Sequence, residues 1–89
     1  MNSYSVVIGR KAQKGIPLCP DQIQDRLAIL VDDIEANGPI RSNWANYSKL
    51  GVNKYHCHLS HKWVACWEWE KETVIVEVYY VGSRGSAPY

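Results

Sequence analysis

The hydrophobic positions of the chain follow two periods, and the switches between them mark its elements. In Ser3–Gly9, Tyr4, Val6 and Ile8 alternate with Ser3, Ser5 and Val7, which predicts a strand. Gly9 and the cations Arg10, Lys11 and Lys14 then predict an exit into a polar surface loop. From Asp21 to Asn37 the period becomes helical. Ile23, Leu27, Leu30, Val31 and Ile34 form one stripe, with Asp25, Asp32 and Glu35 outside it. Pro20 suits the first turn, Asp21 suits the positive end of the helix dipole, and Gly38-Pro39 supply a cap and a breaker.

Between Ile40 and Val52, Trp44, Tyr47 and Leu50 recur every third residue among small polar groups. That spacing predicts an irregular or short helical segment pressing three anchors onto the core. Period two then returns. Tyr55, Cys57 and Leu59 form one alternating set, Trp63, Ala65, Trp67 and Trp69 a second, and Val74, Val76, Val78 and Tyr80 a third. Lys71-Glu72 reads as a hairpin tip, and Gly82 as the end of a last strand whose two apolar faces make it central. Ser83–Tyr89 is a short polar tail. The order β-α-(α)-β-β-β predicts an α+β fold. One long helix, plus the short or irregular helical segment, would pack on a twisted, mainly antiparallel four-stranded sheet.

Composition narrows the setting. Eighty-nine residues suffice for a single domain, 1–89, and 46% hydrophobic with 21% charged residues excludes a disordered chain. Four Trp and six Tyr suit a small core and suggest a surplus for a partner to cover. No apolar run has the length of a membrane span and no signal segment opens the chain, so a cytoplasmic protein without a membrane partner is expected. Cys19, Cys57 and Cys66 have no CxxC spacing and read as buried, reduced thiols. A net charge of +1 gives no global field toward nucleic acid, so any such contact must rest on a local patch. Residues 1–52 hold six basic and five acidic groups, residues 53–89 hold four of each, and all three histidines lie in the second part.

The densest chemistry lies in Tyr55-His56-Cys57-His58-Leu59-Ser60-His61. Strand alternation puts His56 and His58 side by side on one face and turns Tyr55, Cys57 and Leu59 toward the core. Two imidazoles on an exposed face could supply a base and an acid near neutral pH, which is what metal-free RNA cleavage by a 2′-hydroxyl needs. Zinc on His56, His58 and His61 or Cys66 is an alternative, although the spacings match no standard structural site. Idle histidines on a solvated face are another. Arg84 could hold a phosphate through two donors, and Tyr89 could accept a proton or stack on a base, provided the tail lies beside the histidines.

This ordered set resembles the RelE-type toxins of bacterial toxin–antitoxin modules. The likeness rests on Tyr55–Leu59 after the helical region, Trp63–Trp69 as the next strand, and Val81-Gly82-Ser83-Arg84 running to Tyr89. It is best over Lys54–Tyr89, and over the first half it rests on the β–α order. The resemblance implies a toxin that inhibits translation as a ribosome-dependent endoribonuclease, an mRNA interferase cutting mRNA in the A site. It implies no metal and no cofactor, and a cognate antitoxin as partner. His56, His58, Arg84 and Tyr89 are then the implied catalytic residues, and Lys54, Lys62 and His61 the implied RNA-binding ones. Val64 stands where the family often has an arginine. That difference and the low net charge keep open a non-catalytic module of the same fold that binds an antitoxin or DNA gyrase, beside the small metal-binding domain.

Overall fold

A computed structural model describes residues 3–89, so the first two positions of the expected domain lie outside the described residues. Five strands form one sheet in the order β1-β5-β4-β3-β2. They are β1 (Ser5–Ile8), β2 (Ser48–Gly51), β3 (Lys54–His58), β4 (Trp63–Trp69) and β5 (Ile75–Ser83). Two α-helices, α1 (Arg10–Gly15) and α2 (Asp21–Asn37), precede β2. The α+β class and the mainly antiparallel sheet match the expectation, whereas four strands and a single α-helix do not.

Each difference has a physical cause. Arg10–Gly15 is a helix instead of a loop because Arg, Lys, Ala and Gln are all good helix formers, and one turn and a half is too short to show an apolar stripe. Its one buried residue, Ala12, reaches the core, while Gly15 lies so close to the Val81 carbonyl that a Cβ would meet it. Ile40–Val52 contains no helix. It runs through turns into β2, which pairs antiparallel with β3. Trp44 and Tyr47 of that segment pack against the core, and Trp44 is tied down by polar contacts as well. Trp44 Nε1 donates to Asp33 at 2.8 Å, Arg41 bridges the same carboxylate at 3.0 Å, and the Arg26 guanidinium lies 5.1 Å above the Trp44 ring. Burial works to raise the Asp33 carboxyl, but hydrogen bonds from Trp44, Asn37 and Arg41, with the Arg41 charge, outweigh it and hold the group at about 2. Gly82 does not end the last strand, which continues to Ser83.

The long helix occupies the span its stripe predicts, and Ile23, Leu27, Leu30 and Ile34 are its buried residues. Gly38 closes it at φ 96° and ψ −179°, a conformation essentially reserved for glycine, with the Tyr4 ring 3.0 Å from where a Cβ would stand. The helix packs on the sheet face formed by Tyr55, Cys57, Leu59, Ala65, Trp67, Val76, Val78 and Val81. Leu30→Ala should cost about 2–4 kcal/mol, because this fully buried side chain leaves a cavity in a close-packed layer. Urea unfolding at 25 °C reads it, and a loss under about half a kcal/mol would mean a different helix docking. Part of the aromatic content fills the core and part stays half-buried at the surface. Trp67 is fully buried, Trp44, Trp63 and Trp69 pack against the core, and the exposed large residues are aliphatic apart from Tyr89.

Candidate active site

Alternation along β3 sends Tyr55 and Cys57 to the core and leaves Lys54, His56 and His58 on the sheet face away from α2. Register fixes their neighbours. His56 stands opposite Cys66 and His58 opposite Val64 on β4, and those two stand opposite Tyr80 and Gly82 on β5. Between Cys66 and Trp67 the pairing slips, so that Tyr79 is the extra residue of a bulge. The slip changes parity within β5. Val76, Val78 and Val81 all reach the core, and Tyr80 and Gly82 line up with the histidines.

The C-terminal segment returns over this face. Arg84 opens a 3-10 turn, Arg84–Ser86, and its N–H donates to the Lys62 carbonyl at 2.7 Å, tying the tail to the β3–β4 turn. The Tyr80 hydroxyl donates to the Ser83 carbonyl at 2.8 Å. Tyr89 then lays its ring on His56, with centroids 4.5 Å apart, and the two imidazoles lie 5.8 Å apart. The expectation of an open histidine face therefore needs correction. His56 is only 7% exposed beneath Tyr89, and His58 is half-buried.

The surroundings set the protonation of these groups. Burial lowers the His58 pKa below the ordinary 6.5, and the charges of His56, Arg84 and His61 push it the same way. Burial raises the Tyr89 phenol, which Cys66 reinforces and Arg84 opposes, so near neutral pH it is a hydroxyl and not a phenolate. The Cys66 thiol, pushed up to about 12 by burial, is no nucleophile despite its place beside His56. Arg84 itself is exposed, and its charge is felt at both His58 and Tyr89. His56, His58, Arg84 and Tyr89 thus gather on one face.

The other sequence candidates lie around them. Lys54 holds its Nζ 5.9 Å above the Tyr79 ring, and His61 and Lys62 are exposed in the turn after β3. Among the described residues, no three His, Cys, Asp or Glu side chains come together as metal ligands. An open groove of about 560 Å³ borders the site along Tyr80, Gly82 and Ser83, with Lys11, Trp63 and Tyr79 also in its lining. Charge is partly segregated as well. Five of the nine acidic residues, Asp21, Asp25, Asp32, Asp33 and Glu35, ride on α2, across the sheet from the histidines, whereas Glu68 stands opposite Lys54 on the histidines' own face.

Two residues of the site carried no signal of their own in the sequence. Ser48 Oγ lies 3.0 Å from His56 Nδ1, and Asn46 Nδ2 lies 3.3 Å from His58 Nδ1. Both belong to the segment without clear periodicity. Asn46 is one of three non-glycine residues at positive φ (53°) among the described residues, and Asn is among the types that tolerate it.

No protein-family model matches the chain, and no curated protein sequence does. Solved structures do. The archaeal RelE–RelB complex from Pyrococcus horikoshii contains a chain matching at TM-score 0.75 with 16% identity, covering 96% of this chain and 99% of that one. The E. coli DinJ–YafQ toxin–antitoxin complex gives 0.77 with 10% identity over 98% and 99%. A mutant of E. coli toxin RelE in the free state gives 0.72 with 19% identity over 97% and 88%. At such low identities and near-complete coverage the likeness is one of architecture: the chain has the fold of the RelE-type toxins.

Proposed function

We propose that this protein is the toxin of a type II toxin–antitoxin module, a metal-free endoribonuclease that cuts mRNA on the ribosome, its chain acting as one domain. The observation that carries this reading is the gathering of two imidazoles, Arg84 and the Tyr89 ring on one face of a RelE-type fold. In the reaction a ribose 2′-hydroxyl attacks the adjacent phosphate. The P–O2′ bond forms, the P–O5′ bond breaks, the 2′ proton passes to an imidazole and the 5′-oxygen takes up a proton. Arg84 offsets the charge growing on the phosphoryl oxygens. With its phenol raised, Tyr89 serves as a hydrogen-bond donor and stacking surface, which leaves the proton transfer to the histidines. Lys54, Lys62 and His61 flank the path of the strand. The adjoining groove, with Trp63, Tyr79, Tyr80 and Lys11, offers stacking and a cation to neighbouring nucleotides. A small antitoxin is the partner, and the protein acts in the cytoplasm.

One observation favours a second reading. Val64, opposite His58, is fully buried, so β4 projects no cation into the site at that position. A non-catalytic module of the same fold, binding an antitoxin or gyrase, would need none. Expression separates the two. Induction alone should stop protein synthesis within minutes, the product of the adjacent gene should relieve the arrest, and purified protein should cut mRNA in programmed ribosomes. Unimpaired synthesis at high soluble expression would remove the endonuclease from consideration, and arrest of replication with intact mRNA would favour the gyrase-binding module.

A further inference from the structure

Two imidazoles on one strand face are chemically alike until their partners differ, and here the partners differ in kind. A serine hydroxyl both donates and accepts, whereas an amide nitrogen only donates. We propose that Ser48 and Asn46 are positioning residues that divide the proton-transfer roles. Ser48 holds His56 as the proton acceptor, and Asn46 holds His58 as a neutral donor. The inference rests on the endonuclease reading for its chemistry and on the geometry of the rings for its assignment.

At His56, Ser48 Oγ is 3.0 Å from Nδ1 and can accept a hydrogen bond from Nδ1–H. The neutral ring then keeps its proton on Nδ1 and presents an unprotonated Nε2 for the 2′-hydroxyl. Once Nε2 has taken that proton, Nδ1–H still finds an acceptor in Ser48, so the imidazolium is stabilised by the same contact. Tyr89, packed on the ring at 4.5 Å, restricts its rotation. The 5′-oxygen departs beside Arg84 and takes its proton from water, and the hydroxide left is neutralised by the proton that His56 gives up.

At His58, Asn46 Nδ2 lies 3.3 Å from Nδ1 and can only donate to it. The neutral ring must therefore carry its proton on Nε2, where it is a hydrogen-bond donor suited to a phosphate oxygen. Protonating Nδ1 would set N–H against N–H. The surroundings of this ring act in the same direction: burial first, then the charges of His56 on its own strand, Arg84 from the C-terminal turn and His61 from the β3–β4 turn, all lower the His58 pKa. The strand is also fixed where the pair is read, since the His58 N–H donates to the Ala45 carbonyl at 2.8 Å, next to Asn46.

Ring tautomers can be read without ribosomes, by long-range proton–nitrogen correlation on the ¹⁵N-labelled full chain. We expect His56 in the Nδ1–H form and His58 in the Nε2–H form. Asn46→Asp replaces the donor by an acceptor and should convert His58 to the Nδ1–H form, raising its titration midpoint by about one pH unit or more. Ser48→Ala should leave His56 a mixture of tautomers and slow cleavage about tenfold or more, with Ser48→Thr restoring both. An Nδ1–H His58 in the wild-type chain, or rings unchanged by Asn46→Asp and Ser48→Ala, would overturn the assignment. Tautomers as assigned in a protein that cuts no mRNA would sink the endonuclease reading and leave the roles of Ser48 and Asn46 at the rings standing.

Discussion

Replacing His56 and His58 together by alanine is expected to slow mRNA cleavage by about 10²–10⁴-fold, and Arg84→Ala by a similar factor. The causes are separable. The histidines move or donate protons where the 2′-hydroxyl attacks, whereas Arg84 offsets charge on the phosphate. His56 is buried under Tyr89 and His58 lies beside Val64, so the double variant must also be shown to retain its circular dichroism and melting transition. Acid should reduce wild-type cleavage. Burial and nearby charge hold His58 below its ordinary 6.5, so protonation of its Nδ1 affects the rate only below that pH. That protonation breaks the contact with the Asn46 amide and frees the ring to turn, an effect the double variant loses. Loss of folding sets a separate boundary with the same sign. A histidine whose folded pKa is depressed binds fewer protons when folded, so stability declines as pH falls from the unfolded value through the folded one. Measuring rates only where the melting transition is constant keeps the two apart. Full activity in the double variant would show that the proton transfer lies elsewhere.

The largest loss of stability is expected at Trp67. Its side chain is fully buried, its Nε1 donates to the Pro39 carbonyl at 2.9 Å, and its ring packs 6.2 Å from both Tyr47 and Tyr55. It thereby joins the end of the long helix, the segment leading into β2, and strands β3 and β4. Trp67→Ala should cost about 3–5 kcal/mol from cavity and lost contacts, with the Pro39 carbonyl left without its donor. A domain of this size has only about 5–10 kcal/mol in total, so the variant should be largely destabilised in urea at 25 °C. Trp67→Phe retains most of the ring volume and should cost about half as much or less. A loss under about 1 kcal/mol for the alanine variant would mean that the aromatic cluster is not the keystone of the core.

On elements whose period is not interrupted, the sequence was legible. Five apolar positions over seventeen residues define the long helix, and glycine at its end marks a conformation that a side chain would strain. His56 and His58 were placed correctly on one face, because two residues apart on a strand means the same face whatever the strand pairs with. The openness of that face was misjudged. Its cover is Tyr89, more than thirty residues away in the chain, and no local pattern reports a contact at that distance. Likewise the bulge at Tyr79 hides in the apparent period-two set Val74, Val76, Val78 and Tyr80 and is defined only by the partner strand. The strand β2 was lost among polar residues because an edge strand with one half-buried position has no apolar alternation to show.

Residue spacing along the backbone thus suffices for the long helix, the core-facing and outward-facing parities of β3 and β4, and the juxtaposition of two imidazoles. Long-range packing sets the adjacency of the first and last strands, β1 lying parallel to β5, the tie of Arg84 to the β3–β4 turn and the return of Tyr89 over His56. It also decides which atoms meet the two rings. Ser48 and Asn46 are ordinary polar residues of a turn and an edge strand until the β2–β3 register and the turn before it bring them to His56 and His58. The physical reason is one of range. Periodicity reports which side of an element faces the core, because burial acts on every residue of that side. The proton chemistry of a site depends instead on single hydrogen bonds between segments, whose partners are set by how the whole sheet closes.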